Sequence, residues 1–300
     1  MVNGLALWRD RRGRVSVVRI AALIILTMPI AIAVLSYATN GVGARPFNDL
    51  IHRSGYWGLM FLLGSLAISP LRRIARFGGL IDVRRMIGVG ASCYIAAHLT
   101  LYIADQRLDL VKVASEIVHR IYLTIGFTAL TGLAVLAATS TDRMVRRLGS
   151  FRWRRLHQTV YVIGLLGLIH YFQQTKADVS VPTFAAGVFG WLMVYRLLCW
   201  WREVPHLSTA GLVALAIVAA ALTFAGEAIG IGIAFGVSPL RVLATAFDFD
   251  PQMIRPGWLV LASALAVAAV DFVRARGEEP RNPPPRLAGN MLATVDTPAA

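Results

Sequence analysis

The sequence predicts an all-α polytopic transmembrane bundle of about eight spans. Three observations carry this. Across 300 residues, 57% are hydrophobic and only 15% charged, more apolar surface than a water-soluble core would hide. The apolar residues come in separate runs of about the 17 to 25 residues that a helix needs to cross roughly 30 Å of hydrocarbon. The basic residues gather on alternate connections between those runs.

In chain order the runs are Ile20 to Tyr37, Gly55 to Leu71, Met86 to Ile103, Ile121 to Ala138, Leu156 to Phe172, Pro182 to Trp201, Thr209 to Gly230 and Pro256 to Val273. The first follows a basic stretch, Trp8 to Arg19, but it is long and shows no clear small-residue cleavage site before Asn40, so it reads as a retained helix. The second to sixth runs stand close together and read as one functional bundle. From Val204 the chain becomes Ala-rich, and Ser238-Pro239 and Asp248 to Pro251 separate the last two runs. Pro280, Pro283, Pro284 and Pro285 lie in a tail that offers nothing to bury, which predicts disorder. The expected divisions are therefore 1–45, 46–203, 204–275 and 276–300.

Threaded alternately with the N-terminus inside, the runs place Arg9 to Arg19, Arg72 to Arg85, Arg143 to Arg155, Arg196 with Arg202, and the tail from Arg274 on one face. That face then carries the whole formal +14 and reads as cytoplasmic, with both termini on it. Basic residues beside apolar spans are accounted for by topology and anionic headgroups of the lipid bilayer, so nucleic acid is not an expected partner. No Walker or dinucleotide fingerprint is present, and the stretches outside the runs are too short to fold a flavin or nicotinamide domain. Cys93 and Cys199 lie inside runs and read as apolar filler. Glu227 and Asp271 lie near run ends, where interfacial solvation is the expected explanation.

Histidines within spans are costly and point to function. His52, His119 and His206 fall at span edges and read as interfacial. His98 and His170 lie deep: at 1.5 Å per residue they sit about 18 Å from Met86 and about 21 Å from Leu156. The third and fifth runs are parallel, so the two imidazoles reach nearly one level and can face each other across a planar cofactor, as in bis-histidine haem. Such an iron has no open position, which favours electron transfer. The competing reading is a histidine pair hydrogen-bonded between helices.

His157 lies 13 residues before His170, about 20 Å along a straight helix, where a second haem would sit. The residue at that depth on the third run is Arg84, followed by Arg85, and neither is an ordinary iron ligand. The two arginines suit haem propionates or a flavin phosphate, or serve as positive-inside anchors. One or two haems remain open on these residues.

Three segments resemble the YedZ or MsrQ family, within the ferric-reductase-like transmembrane group. They are Gly55-Tyr-Trp-Gly-Leu through Ser69-Pro-Leu-Arg-Arg73; Arg84-Arg-Met-Ile-Gly-Val with His98 following; and Leu136 to Arg143 leading to Leu148-Gly, Trp153-Arg-Arg-Leu-His157, Val160-Tyr161 and His170-Tyr171. The resemblance spans roughly 50 to 200 and implies a ferric-reductase-like core with haem b at His98, His157 and His170. It further implies a bacterial inner-membrane subunit that takes electrons from a cytoplasmic flavin reductase, with FMN as a candidate carrier. The electrons would pass to a periplasmic molybdopterin-containing methionine sulfoxide reductase, where substrate is reduced. A ferric-chelate reductase of the same fold and a transporter without haem are the alternatives. The last hundred residues depart from the six-helix family pattern.

Overall fold

The computed structural model describes residues 7–9, 13–41, 43–175, 178–248 and 254–277. Among these the regular elements are helices: α1 (Val17–Asn40), α2 (Pro46–Ile74), α3 (Ile81–Asp105), α4 (Leu110–His119), α5 (Ile121–Ala138) and α6 (Asp142–Leu148). They continue as α7 (Ser150–Gln158), α8 (Val160–Gln174), α9 (Ser180–Trp201), α10 (Thr209–Phe235), α11 (Pro239–Ala244) and α12 (Pro256–Gly277). The predicted tail lies almost wholly outside the described residues.

Seven helices are long and apolar enough to cross a membrane: α1, α2, α3, α5, α9, α10 and α12. The fifth predicted run is divided. Its residues form the end of α7 and most of the 15-residue α8, and the join is Thr159. Thr159 keeps right-handed backbone angles, but its amide bonds three residues back to Leu156 (3.1 Å), and its hydroxyl takes the same carbonyl (2.7 Å). The local sequence accounts for α7 beginning where it does: Gly149, at φ +77°, turns the chain out of α6 at an angle that side-chain-bearing residues rarely adopt.

Helix α2 is the most enclosed of these spans. On one side Phe61 and Leu62 pack with Ala91 of α3, Ala129 and Leu133 of α5 and Ile163 of α8. On another, Leu66 and Ile74 join Leu192 and Tyr195 of α9, Leu212 and Leu215 of α10 and Val260 of α12. The two C-terminal helices therefore share a core with α2 and α9.

Pro70 shows how sequence enforces this packing. With no N–H, it cannot bond the Leu66 carbonyl one turn earlier, and in hydrocarbon no water can take its place. Arg196 of α9 does: its guanidinium donates to Leu66 O and to Leu192 O (2.9 Å), and lies over the Tyr161 ring.

Glu227 and Asp271 are buried, at 7% and 2% exposure, contrary to the interfacial solvation expected from their places near run ends. Tertiary contacts reach them there. Arg255 Nη2 bonds Glu227 Oε2 at 3.0 Å, and Thr209 Oγ1 bonds Asp271 Oδ2 at 2.6 Å. A buried carboxylate without such partners would carry a large desolvation cost.

Replacing Arg196 with Leu strands a buried carbonyl and is expected to lower stability by about 1–3 kcal/mol. Adding Pro70→Ala to the same chain restores an N–H for Leu66 O and should recover part of the loss. Thermal unfolding of the single and double variants in detergent checks this.

Candidate functional site

His98 of α3 and His170 of α8 come together with ring centroids 6.3 Å apart and planes at 87°. Both rings are half-buried. Each is held from a neighbouring helix: His98 Nδ1 lies 2.8 Å from the Ile51 carbonyl oxygen of α2, and His170 Nδ1 lies 2.8 Å from that of Tyr122 in α5. A carbonyl only accepts, so Nδ1 carries the proton in each ring. A neutral imidazole with its proton on Nδ1 presents an unshared pair at Nε2, the arrangement in which histidine binds a metal.

The spacing tests whether iron fits between them. Two nitrogen–metal bonds of about 2 Å and two ring radii of a little over 1 Å come to roughly 6 Å. The observed 6.3 Å agrees. Each ring is also hydrogen-bonded across to a neighbouring helix, as the competing reading expects, but through Nδ1 to a backbone carbonyl, which leaves Nε2 of both unprotonated. The same four helices share an apolar and aromatic core: Phe61 and Leu62 of α2, Ala91 of α3, Ala129 and Leu133 of α5 and Ile163 of α8, with Trp57, Tyr94 and Ile95 packed against it. Tyr94 satisfies its own hydroxyl on the Leu26 carbonyl of α1 at 2.7 Å. The bundle's large apolar groove, about 560 Å³ between α9 and α10, is lined by neither histidine.

His157 belongs to a different cluster. Its ring stacks on Trp153 (centroids 4.0 Å, 26°), and its Nε2 lies 3.2 Å from the Thr139 hydroxyl. Trp153 Nε1 donates to the Thr139 carbonyl at 2.9 Å, so the end of α5 grips one face of α7 through both polar groups of a single residue. The charges of Arg84 and Arg85, at the start of α3, act on this imidazole. Arg85 also bonds Asp142 Oδ1 at 2.5 Å. What α3 sets against His157 is thus guanidinium, not a second imidazole. This cluster does not fit an iron held by two histidines, whereas it suits an anionic oxygen group.

The structure therefore brings His98 to His170 and, separately, Arg84 and Arg85 to His157. Sequence reasoning missed Ile51, Tyr122, Thr139 and Trp153. The last two carried a signal, because both lie within segments that resemble the family; the first two act only through backbone oxygen, which no residue type announces.

The family described as ferric reductase like transmembrane component matches residues 12–168, a stretch that includes His98 and His157 and stops two residues short of His170. A protein of Rhodospirillum rubrum named protein-methionine-sulfoxide reductase heme-binding subunit MsrQ is 40% identical over 191 residues, 63% of this chain and 89% of that one. Proteins of the same name from Ralstonia nicotianae (36% over 197 residues, 65% and 91%) and Xanthomonas campestris pv. campestris (40% over 173 residues, 57% and 78%) are also similar. The chain belongs to the MsrQ family. It is a membrane protein of the ferric-reductase-like group. Roughly a third of the chain lies beyond the regions shared with these relatives. No solved structure matches it.

The Arg85–Asp142 pair is exposed on both sides, 41% and 68%, so solvent screens it. Asp142→Asn is expected to change stability by less than about 1 kcal/mol, read from the unfolding midpoint in detergent.

Proposed function

We propose that this chain is the haem-b electron-transfer subunit of a methionine sulfoxide reductase system in the bacterial inner membrane, with one haem on His98 and His170. Electrons would come from a cytoplasmic flavin reductase, with FMN as carrier, and go to a periplasmic molybdopterin-containing partner that reduces the substrate. The observation that carries this reading is the matched imidazole pair, each with Nδ1 committed to a carbonyl and the rings spaced for iron. The names of the family relatives support the haem and the methionine sulfoxide reductase system.

When bound, haem supplies a one-electron couple between two oxidation states of iron. His98 and His170 would hold the haem iron, each through its unprotonated Nε2. Helices α2 and α5 hold the rings in place through the Ile51 and Tyr122 carbonyls. About 20 Å along the bundle, Arg84 and Arg85, with His157 as a neutral hydrogen-bonding neighbour, would take the phosphate of a reduced flavin or an anionic edge of its carrier. The distribution of arginine supports a cytoplasmic position for this end and for both termini. A ferric-chelate reductase of the same fold is disfavoured by the relatives' names.

A dithionite-reduced minus oxidised visible spectrum of the purified protein, with pyridine haemochrome quantitation, should give a b-type signal near one haem per chain. His98→Ala and His170→Ala should each abolish the low-spin signal. If both variants keep the normal haem content and spectrum, the ligand assignment is wrong.

The two ends of the molecule should separate kinetically. His157→Ala and Arg84→Ala are expected to keep their haem while reduction by dihydro-FMN weakens about tenfold, the equivalent of about 1.4 kcal/mol in one charge-assisted contact. Stopped-flow reduction traces under anaerobic conditions measure this. Loss of haem in His157→Ala would instead make that residue an iron ligand.

A further inference from the structure

Two glycines lie directly beneath the paired histidines. A methyl group on residue 126 would stand 2.6 Å from Nδ1, 2.7 Å from Cε1 and 3.0 Å from Cγ of His170. A methyl group on residue 55 would stand 3.0 Å from Nδ1 and 3.2 Å from Cε1 of His98. In each case the obstacle is the body of a planar ring that already holds a hydrogen bond, so the ring cannot turn aside and keep that bond.

The same short device appears in both places. His98 bonds the Ile51 carbonyl and rests on Gly55; His170 bonds the Tyr122 carbonyl and rests on Gly126. In both, the carbonyl and the glycine are four residues apart and therefore share one face of their helix, a turn from each other. The carbonyl has a second lone pair beyond the one its helix uses, which is what lets the imidazole join it. Glycine normally weakens a helix interior relative to alanine, so its presence at both seats favours a helix-to-ring role over a helix-forming one.

We infer that Gly55 and Gly126 are positioning residues for the haem ligands, each forming with the carbonyl one turn before it a seat that sets the depth and rotation of an axial imidazole. This inference rests on the assignment of His98 and His170 to iron. The carbonyl sets which nitrogen faces the metal. The absent Cβ sets how far the ring stands from its seat helix, and so the separation of the two rings. Because the contacts at Gly126 are the shorter, a side chain there displaces its histidine more than one at Gly55.

The test compares wild type with Gly126→Ala, Gly55→Ala and, as a control on the same helix as Gly55, Gly64→Ala, where an added methyl meets nothing within 4 Å. Monodisperse full-length protein is assayed for haem per chain, the low-spin ferric electron paramagnetic resonance signal and the midpoint potential. Gly126→Ala should lose most of its haem or convert it to high spin. Gly55→Ala should retain haem with a displaced resonance signal and a shifted potential, and Gly64→Ala should match wild type. If Gly126→Ala does not fold, Gly55→Ala decides by the same three readings.

Should both glycine variants, or Gly55→Ala alone where it is the one recovered, keep the wild-type signal and potential while His98→Ala and His170→Ala lose haem, the seats are overturned and the ligands stand. Should the histidine variants themselves keep a normal haem, the ligand assignment falls and the seats with it.

Discussion

The two hydrogen bonds from imidazole Nδ1 to backbone carbonyl govern the arrangement of the core. In hydrocarbon no water can complete a histidine's hydrogen bonding, so the ring must find an acceptor in protein. His98 finds it on α2 and His170 on α5, which fixes α3 against α2 and α8 against α5. Those are two copies of one arrangement, a helix that bears the histidine and a helix that seats it. Once both pairs form, the Nε2 atom of each ring is left unprotonated.

The same accounting explains the polar contacts elsewhere. Pro70 leaves the Leu66 carbonyl without its helical donor, and Arg196 supplies one from α9. Arg255 meets Glu227 and also donates to the Val242 carbonyl (2.8 Å), while its guanidinium lies over Phe224. Charges left without these contacts would be expensive inside the bundle; with them, they cross-link helices that apolar packing alone would leave free to slide. The C-terminal helices are joined to the rest in this way as well as through the shared core of Leu66, Leu192, Leu212 and Val260.

Chemistry is divided along the bundle. One part holds the paired imidazoles of His98 and His170; another holds His157, fastened by Trp153 and Thr139, with the charges of Arg84 and Arg85 acting on it. The 13-residue step from His157 to His170 holds the two groups apart, roughly 20 Å at 1.5 Å per residue. The break at Thr159 lies between them, so the segment carrying His157 is not bound to the helical phase of the segment carrying His170.

Several features were legible in the sequence because they depend on quantities that add along a chain. Run length and apolar content located the spans, and a constant rise per residue put His98 and His170 at one level before any contact was known. The resemblance in Trp153 to His157 and in Leu136 to Arg143 marked the second cluster. What depends on rotation or on the backbone was not legible. Depth does not say which way a ring points, so the meeting of His98 and His170 at 6.3 Å belongs to the packing of α2, α3, α5 and α8. Proximity to a run end suggested solvent for Glu227 and Asp271, yet neighbouring helices bury both. Ile51 and Tyr122 contribute a carbonyl that every residue has, and only tertiary structure decides which of 300 identical groups a histidine reaches.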